Sequence, residues 1–291
     1  MKFSHLFLTV ALTLTATQSF AKAPVVVPKV IYGQDDRLDI FESNDNLMKE
    51  AALSTAAQVL NKNISENNGI FTVKSETLAE SGMCKSERFA NQMIAANCSG
   101  FLIAPDKLVT AGHCVESVDE CSEHYWVFDF SNTKREEKSF TFTKDQVFRC
   151  NKVIERKRDS MTQADYAVVQ LERPVPGRTP LKFRTEGKPA DDAVFTVIGH
   201  PTGLPTKITA AADMRNNTNP TFFVTNADTY GGNSGSAVLD SRTGLVEGVL
   251  VRGDTDYTTS ADGCLVSVTR PEDGGRGEDV TRITIINALK K

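Results

Sequence analysis

The sequence predicts an all-β protein of barrel or sandwich type, and three observations carry that expectation. From Ser99 onward, short runs rich in aromatic and β-branched residues recur at near-regular spacing between turn signals. The stretch GFLIAPDKLVTAGHC, residues 100–114, places two apolar runs on either side of Pro-Asp-Lys, as a hairpin does. Arg173–Pro180, RPVPGRTP, holds three prolines and a glycine and reads as a connector between two series of strands. The 291 residues suffice for one large domain or two modest ones. With 40% hydrophobic and 24% charged residues, a buried core is expected.

Taken in order, the chain opens with an export signal over residues 1–23. Lys2 is followed by the apolar run LFLTVALTLTA and by small-residue cleavage sites at SFA and AKA. The run is short for a membrane span, and no later stretch approaches that length. The mature protein is therefore expected to be soluble, secreted or periplasmic, with no membrane partner after signal cleavage. Residues 24–50, Pro-rich and then polar, read as a propeptide or N-terminal extension. LMKEAALSTAAQVLNKNI, residues 47–64, fits a helix by composition and also a strand at STAAQVL. HYWVFDF, SFTFT and DYAVVQL are strands before the connector; AVFTVIGH, TFFVTN, SGSAVLD, GLVEGVLVRG and CLVSVTR follow it. GEDVTRITIINALKK is expected to close the chain as a helix, with Asp279 near its start and Lys290 and Lys291 at its end.

Net charge is −4, and no long Lys/Arg run occurs. Nucleic acid is therefore not the expected partner; KREEK and ERKR read as solvated faces. The cysteines are Cys84, Cys98, Cys114, Cys121, Cys150 and Cys264. An even number in an exported chain suggests disulfides. Zinc at His113, Cys114, Cys121 and His124 is the competing reading, and the oxidising compartment favours bridges.

The chemistry concentrates in GGNSGSAV, residues 231–238, where glycines crowd Ser234. Glycine in a strand-rich segment marks an unusual turn or a close backbone approach. A serine nucleophile needs a base, and the four histidines are His5, His113, His124 and His200. None follows Ser234, which excludes the Ser-Asp-His chain order of the α/β-hydrolases. The order His-Asp-Ser is met by His113 in TAGHC, Asp165 at the mouth of DYAVVQL, and Ser234. Asp129 and Asp159 are rival acids that head no such strand, and His124 and His200 read as structural.

CSGFLIAPDKLVTAGHC, ADYAVVQL and YGGNSGSAV together resemble the signature segments of the trypsin-like, chymotrypsin-fold serine proteases. The GNSGS form and the segment VIYGQDDRLDI are similar to the bacterial glutamyl endopeptidase branch; the resemblance runs from about Val30 to Val268. It implies two six-stranded antiparallel β-barrels, over residues 51–176 and 177–291, the second ending in the C-terminal helix. It also implies a serine endopeptidase with Ser234, His113 and Asp165 as a triad and the Gly232 and Ser234 amides as the oxyanion hole. Protein or peptide substrates, no cofactor, no metal and a monomeric state follow from the same likeness. Cys98 and Cys114 are implied to be bridged. Cys84, Cys121, Cys150 and Cys264 are left unassigned, with Cys121–Cys150 and Cys84–Cys264 as one arrangement among those open.

The sequence departs from the family pattern twice. Asn233 precedes the serine where many relatives carry an aspartate that pairs with a newly cut N-terminal amine, so activation by that ion pair is not expected. Asp228 and Thr229 precede the serine by six and five residues, and Leu250 stands where the glutamyl branch has a histidine. These three are the candidate substrate-binding residues, and Asp228 favours cleavage after Lys or Arg. A catalytically silent relative that binds peptide or protein is the alternative reading.

Overall fold

The computed structural model describes residues 30–135 and 137–290. The export signal lies outside the described residues. Strands β1 (Thr55–Leu60), β2 (Cys98–Ala104), β3 (Lys107–Thr110), β4 (His124–Phe128), β5 (Val147–Arg158) and β6 (Asp165–Leu171) close a first barrel in the order β1-β2-β3-β6-β5-β4. Strands β7 (Val194–Gly199), β8 (Lys207–Asn216), β9 (Phe222–Thr225), β10 (Ala237–Asp240), β11 (Val246–Arg252) and β12 (Glu278–Arg282) close a second, β7-β8-β9-β12-β11-β10. The two rings therefore have the same strand order. Closure removes the exposed sheet edges that short strands would otherwise present.

The aromatic and β-branched runs fill the barrels. Trp126, Phe101, Phe128 and Phe148 are buried in the first, and Phe195 and Phe223 in the second. Each such side chain contributes roughly 1.5–3 kcal/mol by leaving water. One apolar cluster runs from Phe101 and Trp126 through Tyr166 to Ile198, Leu239 and Val249, so the barrels share a core across their contact. SFTFT forms a strand, but outside the barrel: Phe140–Thr143 joins Ile64–Asn67 and Ile70–Val73 in a separate three-stranded sheet.

The ambiguous stretch near residue 50 contains both elements. A helix, Asn46–Ala52, is capped by the Asp45 side chain accepting from the Met48 N–H, and β1 follows. The segment before it is built into the fold. Ile31–Tyr32 pairs with Thr269–Arg270, and Arg37–Asp39 adds outside β8.

The expected C-terminal helix does not form. Residues 278–282 are β12, and two single 3₁₀ turns, Ile283–Ile285 and Asn287–Leu289, follow it. Val280, Ile283 and Ile286 are buried three residues apart, which imitates a helical stripe. β-branched density and the need to pair both β9 and β11 decide for strand.

Three disulfides join Cys84–Cys264, Cys98–Cys114 and Cys121–Cys150. This overturns the zinc reading, because Cys114 and Cys121 are each oxidised with another partner. Among the described residues the one His/Cys/Asp/Glu cluster of metal-ligand spacing is Cys98, His113 and Cys114, whose cysteines form one of these bridges.

Candidate active site

β3 and β6 are neighbours, with Thr110 opposite Ala167. The chain leaving β3 therefore passes the first residue of β6, which is Asp165. His113 sits on the 3₁₀ turn Gly112–Cys114 just beyond β3. Asp165 grips it twice: Oδ2 lies 2.8 Å from the ring Nδ1, and Oδ1 accepts the His113 backbone N–H at 3.0 Å. Burial alone would raise the Asp165 carboxyl. The hydrogen bonds and charge of His113, with Arg252 behind, instead hold it below the ordinary carboxylate range. The rival acids are engaged elsewhere. Asp129 forms a two-pronged pair with Arg178, and Asp159 accepts the Met161 and Thr162 amides of its own turn.

Ser234 lies on the loop between β9 and β10, almost fully buried. Its backbone is set against the first barrel. The Ser99 N–H of β2 donates to the Ser234 carbonyl at 2.8 Å, and the Cys114 Sγ, next in sequence to His113, is 3.6 Å from the same oxygen. The glycines have separate reasons. Gly232 has φ +93°, and a Cβ there would run into the His200 carbonyl. Gly235 has φ +89°, and a Cβ there would overlap the Ser99 carbonyl and the Thr110 hydroxyl.

The amides of this loop divide cleanly. The Gly231 N–H donates to Asp256 Oδ2 at 2.9 Å. Those of Asn233, Gly235 and Ser236 donate to the carbonyls of Tyr230, Leu250 and Asn233 at 2.9, 2.8 and 2.9 Å. Among the described residues no acceptor meets the N–H of Gly232 or of Ser234. The buried Asn233 side chain has no ionic partner; its Oδ1 accepts the Ser236 hydroxyl.

The three candidate substrate-binding residues are engaged inside the protein. Asp228 is buried and accepts the backbone N–H groups of Tyr32 at 2.7 Å and Asp36 at 3.2 Å, so its carboxylate anchors the N-terminal segment. Leu250 packs into the second-barrel core with Phe195, Phe223 and Val280. Thr229 donates to Glu278 Oε2 at 2.6 Å. Arg252 pairs with Asp279. His200 is buried and stacks near Phe130, at a ring separation of 6.0 Å; burial, then the charge of Lys207, push its pKa down to about 3. Sequence reasoning passed over Glu278 and Ser99, whose partners lie 49 and 133 residues away.

Two closed barrels of equal strand order, packed side by side, are the architecture of the chymotrypsin-like proteases. The trypsin-like peptidase domain model matches residues 98–249, which span all but one of the strands of the first barrel and most of the second. The chain belongs to the trypsin-like peptidase family, and so is a serine endopeptidase by class. No curated protein matches it. Among solved structures it is similar to the VesB protease of Vibrio cholerae, at 14% identity over 88% of this chain and 65% of that one, with a TM-score of 0.50. It is similar also to a Glu endopeptidase in complex with MPD (16% identity, 88% and 96% covered, TM-score 0.46). The active form of the Rv3671c protease from M. tuberculosis matches at 16% identity, 92% and 90% covered, TM-score 0.42.

Proposed function

We propose that the protein is an exported serine endopeptidase that hydrolyses peptide bonds through Ser234, His113 and Asp165. The observation that carries this reading is the coincidence of a doubly held His113 with a serine loop whose Gly232 and Ser234 amides are open. His113 takes the Ser234 proton as the hydroxyl oxygen attacks the substrate carbonyl. The tetrahedral oxyanion is met by the two free N–H groups, and the leaving amine receives the proton from His113. Water then repeats the sequence on the acyl-enzyme. Asp165 holds the tautomer that leaves Nε2 free to accept a proton, and stabilises the imidazolium.

For specificity we favour Lys or Arg before the scissile bond, with Glu278 in place of Asp228 as the acid responsible. Glu278 accepts the Thr229 hydroxyl at 2.6 Å and the Asp254 N–H at 3.1 Å, and its carboxylate fills the space a side chain at Gly253 would need. Asp256 accepts the Gly231 N–H at 2.9 Å. Buried acids behind Thr229 and Gly231 disfavour a glutamate side chain nearby and favour a cation. The N-terminal segment docks on Asp228 through backbone amides. Asn233 carries no charge, so removal of residues 1–29 is not needed to supply it with an ion-pair partner.

The test is cleavage of a mixed peptide pool, read by mass spectrometry, with Ser234→Ala and Glu278→Gln alongside. Cuts after Lys and Arg are expected, absent in Ser234→Ala and less selective in Glu278→Gln. Activity retained by Ser234→Ala contradicts the mechanism, and cuts confined to glutamate contradict the specificity.

A further inference from the structure

The peptide units around Ser234 are pinned through their carbonyls. Thr202 N–H holds the Gly231 oxygen at 2.5 Å, Ser236 N–H holds that of Asn233 at 2.9 Å, and Ser99 N–H holds that of Ser234 at 2.8 Å. The Gly232 oxygen alone is held by a side chain, the Ser99 hydroxyl, at 2.8 Å. A trans peptide points its N–H opposite its carbonyl. The Gly231 and Asn233 carbonyls therefore set where the free Gly232 and Ser234 N–H groups aim, and the Gly232 carbonyl belongs to the unit that joins them, whose own N–H, that of Asn233, donates to Tyr230.

Ser99 is itself held by His200. The His200 backbone N–H donates to the Ser99 hydroxyl oxygen at 3.0 Å, and the ring Nδ1 lies 3.1 Å from the same oxygen. On the far side of the ring, Nε2 lies 3.1 Å from the Thr206 hydroxyl. Ser99 and His200 are fully buried and Thr206 nearly so. One hydroxyl carries one proton. If Ser99 gives its proton to the Gly232 carbonyl, Nδ1 must donate to Ser99 and Nε2 must accept from Thr206, whose hydroxyl then leaves the Phe130 carbonyl, 3.0 Å away, to the Thr206 N–H that reaches it at 2.7 Å. That assignment satisfies every member of the chain with a neutral ring.

We propose that Ser99 and His200 are positioning residues for the oxyanion hole: His200 orients the Ser99 hydroxyl, and Ser99 ties Gly232 and Ser234 to the first barrel. The proposal rests on the reading of Ser234 as nucleophile. Neither residue touches substrate, so the chain acts on the rate of acylation and leaves ground-state binding alone. Without the hydroxyl, the Gly232 carbonyl loses its partner at a glycine, and the unit that joins the two free amides is held by the Asn233 N–H alone.

The test measures kcat and KM on the best substrate from the peptide pool for Ser99→Ala, His200→Phe, the double variant and His200→Asn. The asparagine amide can donate from about the position of Nδ1. Ser99→Ala and His200→Phe should each lower kcat by about 100-fold, the lower end of what loss of an oxyanion donor costs, with KM nearly unchanged. The double variant should be no slower than the worse single variant, because both act through one hydroxyl. His200→Asn should recover most of the rate. A wild-type kcat in folded Ser99→Ala, effects that multiply in the double variant, or equal rates for His200→Asn and His200→Phe would each overturn the proposal. Where Ser99→Ala fails to fold, the two His200 variants decide on their own. Ser234→Ala run in parallel separates the failures: activity without Ser234 removes the underlying reading, whereas an inactive Ser234→Ala beside a fully active Ser99→Ala removes this proposal alone.

Discussion

The two barrels share a strand order but not a manner of filling it. Over the six strands of the first barrel, the one buried Asp, Glu, Lys, Arg or His side chain is Asp165; the rest of its interior is apolar or neutral. The strands of the second bury Lys207, Asp240, Glu247, Glu278, Asp279 and Arg282, and the loop before Ser234 adds Asp228. Many of these charges are matched: Lys207 with Asp39, Glu247 with Arg184, Asp279 with Arg252 and Arg276. A lone buried charge in an apolar barrel costs stability unless something compensates it, and Asp165 is compensated by His113. In the second barrel a buried acid is ordinary, so spacing from Ser234 alone does not assign Asp228 to substrate, and its carboxylate holds Tyr32 and Asp36 instead.

This contrast can be broken by substitution. Asp165→Asn leaves a side chain of the same shape but changes the hydrogen bond that sets the His113 tautomer. It should lower kcat by about 10⁴ with little change in KM, read by steady-state kinetics. Asp39→Ala should leave the Lys207 ammonium buried and unpaired, costing about 3–5 kcal/mol in denaturant unfolding. Replacing both members, Asp39→Leu with Lys207→Met, should recover much of that loss. Opening the Cys98–Cys114 bridge by Cys98→Ala with Cys114→Ala should cost about 3 kcal/mol and lower activity as well, since the bridge braces the turn carrying His113.

The smallest effect expected is a pH dependence at the N-terminal segment. Burial, then repulsion from Asp228 and Asp35, raise the Asp36 carboxyl; burial, with Asp35, also raises Asp228 against the pull of the Tyr32 and Asp36 amides and the Arg37 charge. Asp35 itself is paired with Arg37 and Arg88. The folded pair therefore keeps a proton that the unfolded chain releases. Its stability is greatest below the ordinary carboxylate pKa and declines as pH rises through the elevated values. Asp36→Asn should raise the Tm by about 2–4 °C at pH 8 and by less at pH 5, measured by scanning calorimetry.

The triad candidates were legible because each lies in a short local pattern: a turn after a strand, an acid opening a strand, a serine among glycines. The strand runs were legible for the same reason, being set by side-chain type over five to seven residues. Partnerships across the chain were not. Tyr32 finds Asp228 across 196 residues, and Ser99 finds Gly232 across 133; no local pattern encodes either. The C-terminal stretch misled because the spacing of Val280, Ile283 and Ile286 fits a helix, while barrel closure demanded a strand. His200 was read as structural. That reading took no account of the hydroxyl it holds.

The central claim is that His113 and the loop amides make Ser234 a nucleophile. A fluorophosphonate probe followed by peptide mapping tests it most directly. The account predicts a single phosphonylated site at Ser234 in the wild-type protein and none in His113→Ala. Modification of another residue, or undiminished labelling of Ser234 without the imidazole, would contradict it.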